Sequence, residues 1–296
     1  MIHRILDICQ EGRYLAVSRG FLQVKSGSDV LGQVPLDDIG SLLVSSHDTV
    51  LSKNVLNALA ERGCPTYLCG KNYAPLSVVL PIAAHFHATK VLKDQISCTK
   101  PLQKQVWQKV VVQKILHQAH SLRLCGSESG CSALEDIAAT VRSGDTDNRE
   151  GYAARLYWQH LFGATFRRDQ DGDGANAMLN YGYAVMRSAM ARAVCAAGLH
   201  PALGVHHKNE LDQFCLVDDL FEPFRPIVDF RVFCLLQEGE DELTAAVKKQ
   251  LAALVNERLV IGDEESPAFQ SMHHMTASYT KLLENRAGEI EIPQWR

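Results

Sequence analysis

The spacing of apolar residues changes once along the chain, and that change constrains the fold more than any other feature of the sequence. Up to about residue 85 the apolar residues come in short runs suited to strands; from residue 90 they recur at the three- and four-residue spacing of helices. A single switch of period reads as an α+β protein, with a small β-rich N-terminal domain over residues 1–85 and a larger all-α C-terminal domain over 86–296. In the first part, runs at 14–17 and 21–24 flank Ser18-Arg19-Gly20 as a hairpin, and 39–44 reads as a strand. Ser52 is placed to cap a helix through Val55, Leu56 and Leu59 that stops at Gly63, two more strands are expected at 65–68 and 76–80, and His85-Phe86-His87 reads as a linker. In the second part, Pro101 opens a long helix striped by Leu102, Val106, Val110, Ile115 and Leu116. Further helices are expected at 133–142, 149–163, 176–197, 241–259 and 273–286, with loops at 126–130 and 169–174.

Composition limits where such a chain works. No run approaches eighteen consecutive apolar residues, and the first fifteen residues lack the basic, apolar and small-residue zones of a secretory signal, so a cytoplasmic protein with no membrane association is expected. Nine cysteines, an odd number with no C-x-x-C pair, fit neither a disulfide scaffold nor a zinc ribbon; reduced, mostly buried thiols are expected. The net charge of −4 argues against a general nucleic-acid binder, but the distribution of that charge argues the other way. Residues 86–134 carry seven basic and two acidic side chains, whereas 135–230 carry nine basic and fourteen acidic ones. A basic segment ahead of an acidic one suits a phosphate-binding surface beside a carboxylate site, and a merely solvated face fits it as well. Lys104, Lys109 and Lys114 fall about 140° apart around their helix and so do not make one basic face.

Three segments could carry chemistry. Asp169-Gln-Asp171-Gly-Asp173-Gly174 opens like a calcium loop, but the twelfth position is Asn180 where a bidentate Glu is needed, so it reads as a solvated acidic loop. In the second, Asp147 as N-cap with Glu150 three residues on makes a capping-box start that leaves the carboxylate near the surface. Glu150 is also in helical register with Ala153, Ala154 and Tyr157, a packed face on which a carboxylate needs a partner; spacing alone leaves the two readings even. The third segment holds His206 and His207, then Asp218, Asp219 and Glu222. An imidazole with carboxylates is an oxygen-rich donor set, suited to Mg2+ or Mn2+ rather than to a structural zinc. Asp219 and Glu222 share a helical face, although Pro223 disfavours helical geometry at Glu222.

Taken in order, these segments resemble the CRISPR-associated spacer-acquisition integrases, the Cas1 family. The likeness spans nearly the whole chain: Val34-Pro35 with Ile39, Val50-Leu-Ser52, Glu150-Gly-x-Ala153-Ala154-x-x-Tyr157, Leu179-Asn180-Tyr-Gly-Tyr183, Gly198-Leu-His-Pro201-Ala-Leu-Gly204, His207, and Asp219-Leu-Phe-Glu222-Pro-Phe-Arg225-Pro-Ile-Val-Asp229. The last run and His206-His207-Lys-Asn look most like the type II branch, which accompanies a single large effector nuclease. The resemblance implies a metal-dependent DNA endonuclease and integrase that inserts foreign DNA into a CRISPR array by 3′-hydroxyl attack on a phosphodiester. It places the metal ligands, for Mg2+ or Mn2+, on Glu150, His207 and Glu222, with Asp219 and His206 auxiliary; Gly204 followed three residues later by His207 matches the family pattern. It also implies homodimers, joined through edge strands of the N-terminal domain and bridged by a dimer of the small Cas2 protein. Arg225 is expected either to pair with a DNA phosphate or to bridge Asp219 or Asp229, and the basic segment offers Lys100, Lys104 and Lys109 to DNA, with Arg167 and Arg168 as the other surface. Two rival readings are a DNA-binding scaffold without catalysis and a metal-dependent phosphohydrolase of small nucleotides.

Overall fold

Ile39-Gly-Ser-Leu-Leu-Val44 is buried at all six positions, which an ordinary half-exposed strand is not. The computed structural model, which describes residues 4–70, 75–81, 88–169 and 172–296, shows why. This strand, β5, lies inside a four-stranded sheet of order β1-β5-β7-β8, with β1 spanning Arg4–Ile8, β7 Thr66–Cys69 and β8 Pro75–Val79. Ile39, Leu42 and Val44 enter one apolar cluster with Leu15, Leu22, Val55 and Leu59, and Leu43 enters another with Tyr67 and the helices. Ser41 faces the helices too, its hydroxyl 3.2 Å from that of Ser188. Both faces of the strand are therefore covered.

A second sheet, of order β4-β3-β2-β6, closes the first cluster with α1 (Lys53–Ala60); its strands are β2 (Arg13–Ser18), β3 (Phe21–Ser26), β4 (Asp29–Pro35) and β6 (Thr49–Leu51). The expected hairpin is β2–β3, turning at Arg19 and Gly20, both with positive φ (48° and 81°) as a primed two-residue turn requires. From residue 88 the chain is helical: α2 (Ala88–Ile96), α3 (Lys100–Leu124), α4 (Glu128–Ala139), α5 (Arg149–Phe162), α6 (Ala175–Ala196), α7 (Cys215–Phe221), α8 (Arg225–Gln237), α9 (Ala245–Ala252) and α10 (Ala268–Asn285). The mixed strand-then-helix class is as the sequence indicates. The C-terminal part is not wholly helical, however: the helix expected over 241–259 ends in a 3-10 turn at Asn256, and β9 (Arg258–Ile261) pairs with β10 (Glu264–Pro267). The loop expected at 126–130 is shorter, because Ser127 stands at the N-cap of α4.

All nine cysteines are free thiols, but only Cys64, Cys131, Cys195 and Cys215 are buried; Cys9 is exposed and the other four are half-buried. No described helix is long and apolar enough to cross a membrane. The expected linker at His85-Phe86-His87, with the 85/86 boundary, lies outside the described residues, as do Gln170 and Asp171 of the acidic loop.

Candidate active site

Glu150 sits in the first turn of α5, and the turn before that helix aims it inward. Asn148, at φ 51°, is the N-cap and accepts from the Gly151 N–H at 3.2 Å; Asp145 accepts from the N–H groups of Arg149 and Glu150 at 2.8 and 3.0 Å. Capping thus falls to Asp145 and Asn148 rather than to Asp147, which instead lies 3.6 Å from Arg142. With the free N–H groups satisfied by others, the Glu150 carboxylate is released to the face it shares with the fully buried Ala153 and Tyr157. The partner such a carboxylate needs is Lys114 of α3, whose Nζ donates to Oε1 at 2.6 Å.

Lys114 also meets Glu222. The chain leaves α7 at Phe221, tightens into a 3-10 turn over Glu222–Phe224 at Pro223, and enters α8. Proline breaks the regular helix where the sequence suggested, and the tight turn presents Glu222, 6% exposed, toward α3. Arg225 Nε donates to Glu222 Oε1 at 2.9 Å, and Lys114 Nζ lies 2.5 Å from Oε2. That second contact is an ion pair without hydrogen-bond alignment, so Oε2 is a buried oxygen that accepts no directed hydrogen bond. Burial alone would raise the Glu222 carboxyl, but Arg225 and Lys114 outweigh it and hold it down at about 2. Burial likewise works against the Lys114 ammonium, yet Glu222 and Glu150 together carry its pKa above the ordinary lysine value.

The histidine pair divides into two roles. His206 is stacked flat on the buried Trp107 ring, centroids 4.2 Å apart and planes within 5°. His207 Nδ1 donates to Asp219 Oδ1 at 2.5 Å, and the same carboxylate accepts the backbone N–H of His206 at 2.8 Å and of His207 at 3.3 Å. Its hydrogen bond to Asp219 leads burial in setting the His207 pKa above the usual value, with Glu222 and Glu150 adding to the rise at longer range. Gly204 is required for this loop: a Cβ there would stand 2.4 Å from the His207 carbonyl and 2.9 Å from Asp219 Oδ2. Asp218 points elsewhere, into a bidentate pair with Arg187 at 2.6 Å on both arms.

The sequence-predicted basic residues separate. Lys100 and Lys104 line a groove of about 360 Å3 with Gln103, Trp107, His206 and Lys208, next to the histidines. Lys109 leaves that surface and pairs with Glu289. Arg167 bonds its own loop at the Ala164 and Phe166 carbonyls, and Arg168 is held by Asn176 and lies over the Tyr183 ring. Arg225 bridges neither Asp219 nor Asp229 but Glu222, over the rings of Tyr183 and Phe221. Lys114 is the residue of this cluster that sequence reasoning missed. Its signal was present: it stands four residues after Val110 and three after Val111, both fully buried, and a lysine on such a face demands a carboxylate.

The donor set is the two carboxylates that share Lys114, with the His207 imidazole in electrostatic range of both, and it suits a hard divalent ion. Oε2 of Glu222, buried and paired with Lys114 without an aligned hydrogen bond, is the atom that such an ion would satisfy. Among the described residues no three His, Cys, Asp or Glu side chains already form a tight ligand cluster, since Lys114 stands between the two carboxylates.

The chain is similar to proteins of one family throughout its length. The family described as CRISPR associated protein Cas1 matches residues 6–259. The CRISPR-associated endonuclease Cas1 of Neisseria meningitidis serogroup C (strain 8013) is 36% identical over 290 residues, 97% of this chain and 95% of that protein. A Cas1 endonuclease of Pyrobaculum aerophilum is 27% identical over 296 residues, covering 93% and 98%. Among solved structures, a Cas1 protein from Thermotoga maritima superposes with a TM-score of 0.79 at 14% identity over 99% of this chain and all of that one. A casposase bound to its integration product gives 0.78 at 18% identity, covering 97% and 92%. On a family match that runs from β1 into β9, and an identity above one third over almost the entire sequence, this chain belongs to the CRISPR-associated Cas1 family.

Proposed function

We propose that the protein is a Cas1 endonuclease and integrase in which Glu150, His207 and Glu222 hold a divalent cation, Mg2+ or Mn2+, and that it inserts foreign DNA into a CRISPR array. One observation carries the assignment: two carboxylates from distant parts of the chain converge on a single cationic group, Lys114, beside an imidazole fixed by Asp219. When bound, the ion supplies charge stabilisation at phosphate oxygens and a lowered pKa for the attacking hydroxyl. The chain's own residues do the rest. Asp219 accepts the Nδ1 proton of His207 and so leaves Nε2 as the free donor atom. Arg225 fixes one oxygen of Glu222 and leaves the other on Lys114, which also holds Glu150. His206, stacked on Trp107, borders the groove in which Lys100, Lys104 and Lys208 await a phosphate backbone.

The assignment is tested by replacing Glu150, His207 and Glu222 singly with Ala, and His206 in parallel. Each of the first three should lose most strand transfer and Mn2+ binding while keeping the fold and much of the DNA affinity; normal strand transfer in Glu150→Ala would sink it. A DNA-binding scaffold predicts no metal-dependent cleavage at all, and a small-nucleotide phosphohydrolase predicts competition by mononucleotides. Competition among branched DNA, linear DNA and mononucleotides separates the three.

The Cas6-RT-Cas1–Cas2 complex, to one chain of which this fold superposes at a TM-score of 0.79 and 17% identity, covering 96% of this chain and 35% of that one, supports a Cas2 partner; a Cas2 dimer bridging two homodimers is part of the proposed reading. The edge strands β4 and β6, with Val30, Leu31 and Val50 about half exposed, offer a surface for homodimer formation by the N-terminal region, taken as residues 1–85. A monomer at micromolar concentration by sedimentation would remove this part of the reading.

A further inference from the structure

Four ionised groups share the space between α3, α5 and the Glu222 turn, and their charges cancel. Glu150 and Glu222 supply the negative pair; Lys114 touches both, and Arg225 touches Glu222. The side chains of Lys114 and Glu222 are 11% and 8% exposed, so water screens these contacts poorly and each charge weighs heavily on the others. Other carboxylates nearby are committed. Asp218 is held in two hydrogen bonds by Arg187, Asp219 spends both oxygens on three N–H donors of the histidine loop, and the buried Asp229 accepts from the Tyr183 hydroxyl.

A divalent cation drawn to Glu150, His207 and Glu222 therefore enters a site whose carboxylates already face protein cations. Its attraction to them is offset by repulsion from Lys114 and Arg225, and the missing negative charge has to come from outside the chain. A DNA phosphodiester carries that charge. Arg225 cannot yield easily, because it lies over two aromatic rings at the start of α8. Lys114 is a single flexible arm whose ammonium, among the described residues, is bound by the two carboxylates, and it is the group able to turn from them to a phosphate oxygen.

We propose that Lys114 is a resident counter-ion that keeps divalent-cation affinity low until a DNA phosphodiester enters the site, so that cation and DNA bind with positive coupling. The inference rests on Glu150, His207 and Glu222 being the ligands. Coupling of this kind is reciprocal: the cation tightens DNA binding by the same factor by which DNA tightens the cation.

The experiment measures Mn2+ binding to the full chain from the free-ion paramagnetic resonance signal, with and without a short blunt duplex, the duplex alone serving as blank. In the wild type, DNA should tighten Mn2+ binding about tenfold. Lys114→Gln, which removes the charge, should bind Mn2+ about tenfold more tightly than wild type without DNA, and the gain from DNA should shrink. Lys114→Arg, which keeps the charge, should behave as wild type. Equal or weaker Mn2+ binding by DNA-free K114Q overturns the inference, as does a wild type indifferent to DNA. Should K114Q unfold without an ion, a melting temperature that climbs with Mn2+ more steeply than the wild type's supports the inference, and an equal climb overturns it. The ligand reading fails separately: Mn2+ binding unchanged in Glu150→Gln removes that assignment, whereas its loss in E150Q beside a DNA-indifferent wild type removes only the role of Lys114.

Discussion

Asp219 holds three hydrogens with two oxygens in a fully buried position, and among the described residues it is the hydrogen-bond partner that orients His207. Asn at this position keeps the shape but replaces one accepting oxygen with an amide that donates, so two donors face each other out of reach of water. Asp219→Asn should therefore misorient the imidazole and weaken Mn2+ binding by about ten- to a hundredfold, the range seen when the partner of a metal-ligating histidine is lost. Titration of the purified variant decides the point, and unchanged affinity would mean that the His207 ring is held by Trp107 and His206 instead. At this scale the sequence was informative about need and silent about supply. Register alone raised the need of Glu150 for a partner, but the partner came from Lys114, 36 residues earlier, and no local spacing reports a contact at that distance. Arg225 shows the converse: its identity suggested a phosphate contact, whereas burial gave it to the carboxylate three residues before it.

Elements decide how firmly the Glu222 turn is held, and α3 grips it twice. One turn beyond Lys114, the buried His117 donates from Nδ1 to the Pro223 carbonyl at 2.6 Å and accepts at Nε2 from the Trp295 backbone N–H at 2.8 Å. The C-terminal segment is itself tied down, since Gln294 pairs with Val260 of β9 through two 2.8 Å backbone hydrogen bonds. The tail thus straps α3 to the turn that carries Glu222. Protonating His117 at Nε2 would expel the Trp295 N–H, and burial, only partly opposed by the Pro223 carbonyl, pushes the imidazole down to about 4. Because the folded value lies below the unfolded value near 6.5, the unfolded chain takes up the proton first. The stability contributed by neutral His117 is complete above pH 6.5 and is lost as pH falls from there toward 4, up to about 3 kcal/mol. His207 works in the opposite sense: Asp219 raises it, so its contribution is present below 6.5 and fades as pH rises through the raised value. Comparing wild type with His117→Gln isolates the first effect. Urea unfolding from pH 7 to 4.5 should show the variant weaker at pH 7 and flatter toward acid, and parallel curves would mean that His117 is not neutral in the fold. Such a strap was illegible in the sequence. Long uninterrupted runs such as α3 and α6 were legible as helices, but β4 is exposed along nearly all its length, β6 has three residues, and α7 and α8 are divided by prolines, so period gave no signal.

Across the whole molecule, the basic excess of residues 86–134 is not spread as a face, and the folded chain sorts its lysines by partner. Lys114 is buried between carboxylates, Lys90 pairs with Glu284, Lys109 with Glu289 and Arg123 with Glu135, so four of the seven basic residues in that segment are neutralised within the chain. Lys100 and Lys104 instead open on the groove beside His206, where Lys208 joins them from the loop between α6 and α7. Fold closure therefore assembles a small positive surface from two distant segments, next to the carboxylates it would serve, in a chain whose net charge is −4. If DNA lies there, replacing Lys100, Lys104 and Lys208 with Ala should weaken binding to every sequence alike. It should also flatten the dependence on salt, by roughly 0.9 in log-log slope for each lysine that touches a duplex phosphate. Lys109→Ala is the internal control, because a lysine already paired with Glu289 releases no counterion on binding and its loss should leave the slope unchanged. Mn2+ affinity measured without DNA should be the same in the triple variant as in the wild type, since water screens exposed lysines from the ligand pair. A wild-type salt slope in the triple variant would move the DNA path off this groove, and a slope that fell with Lys109→Ala instead would move it to the far side of α3.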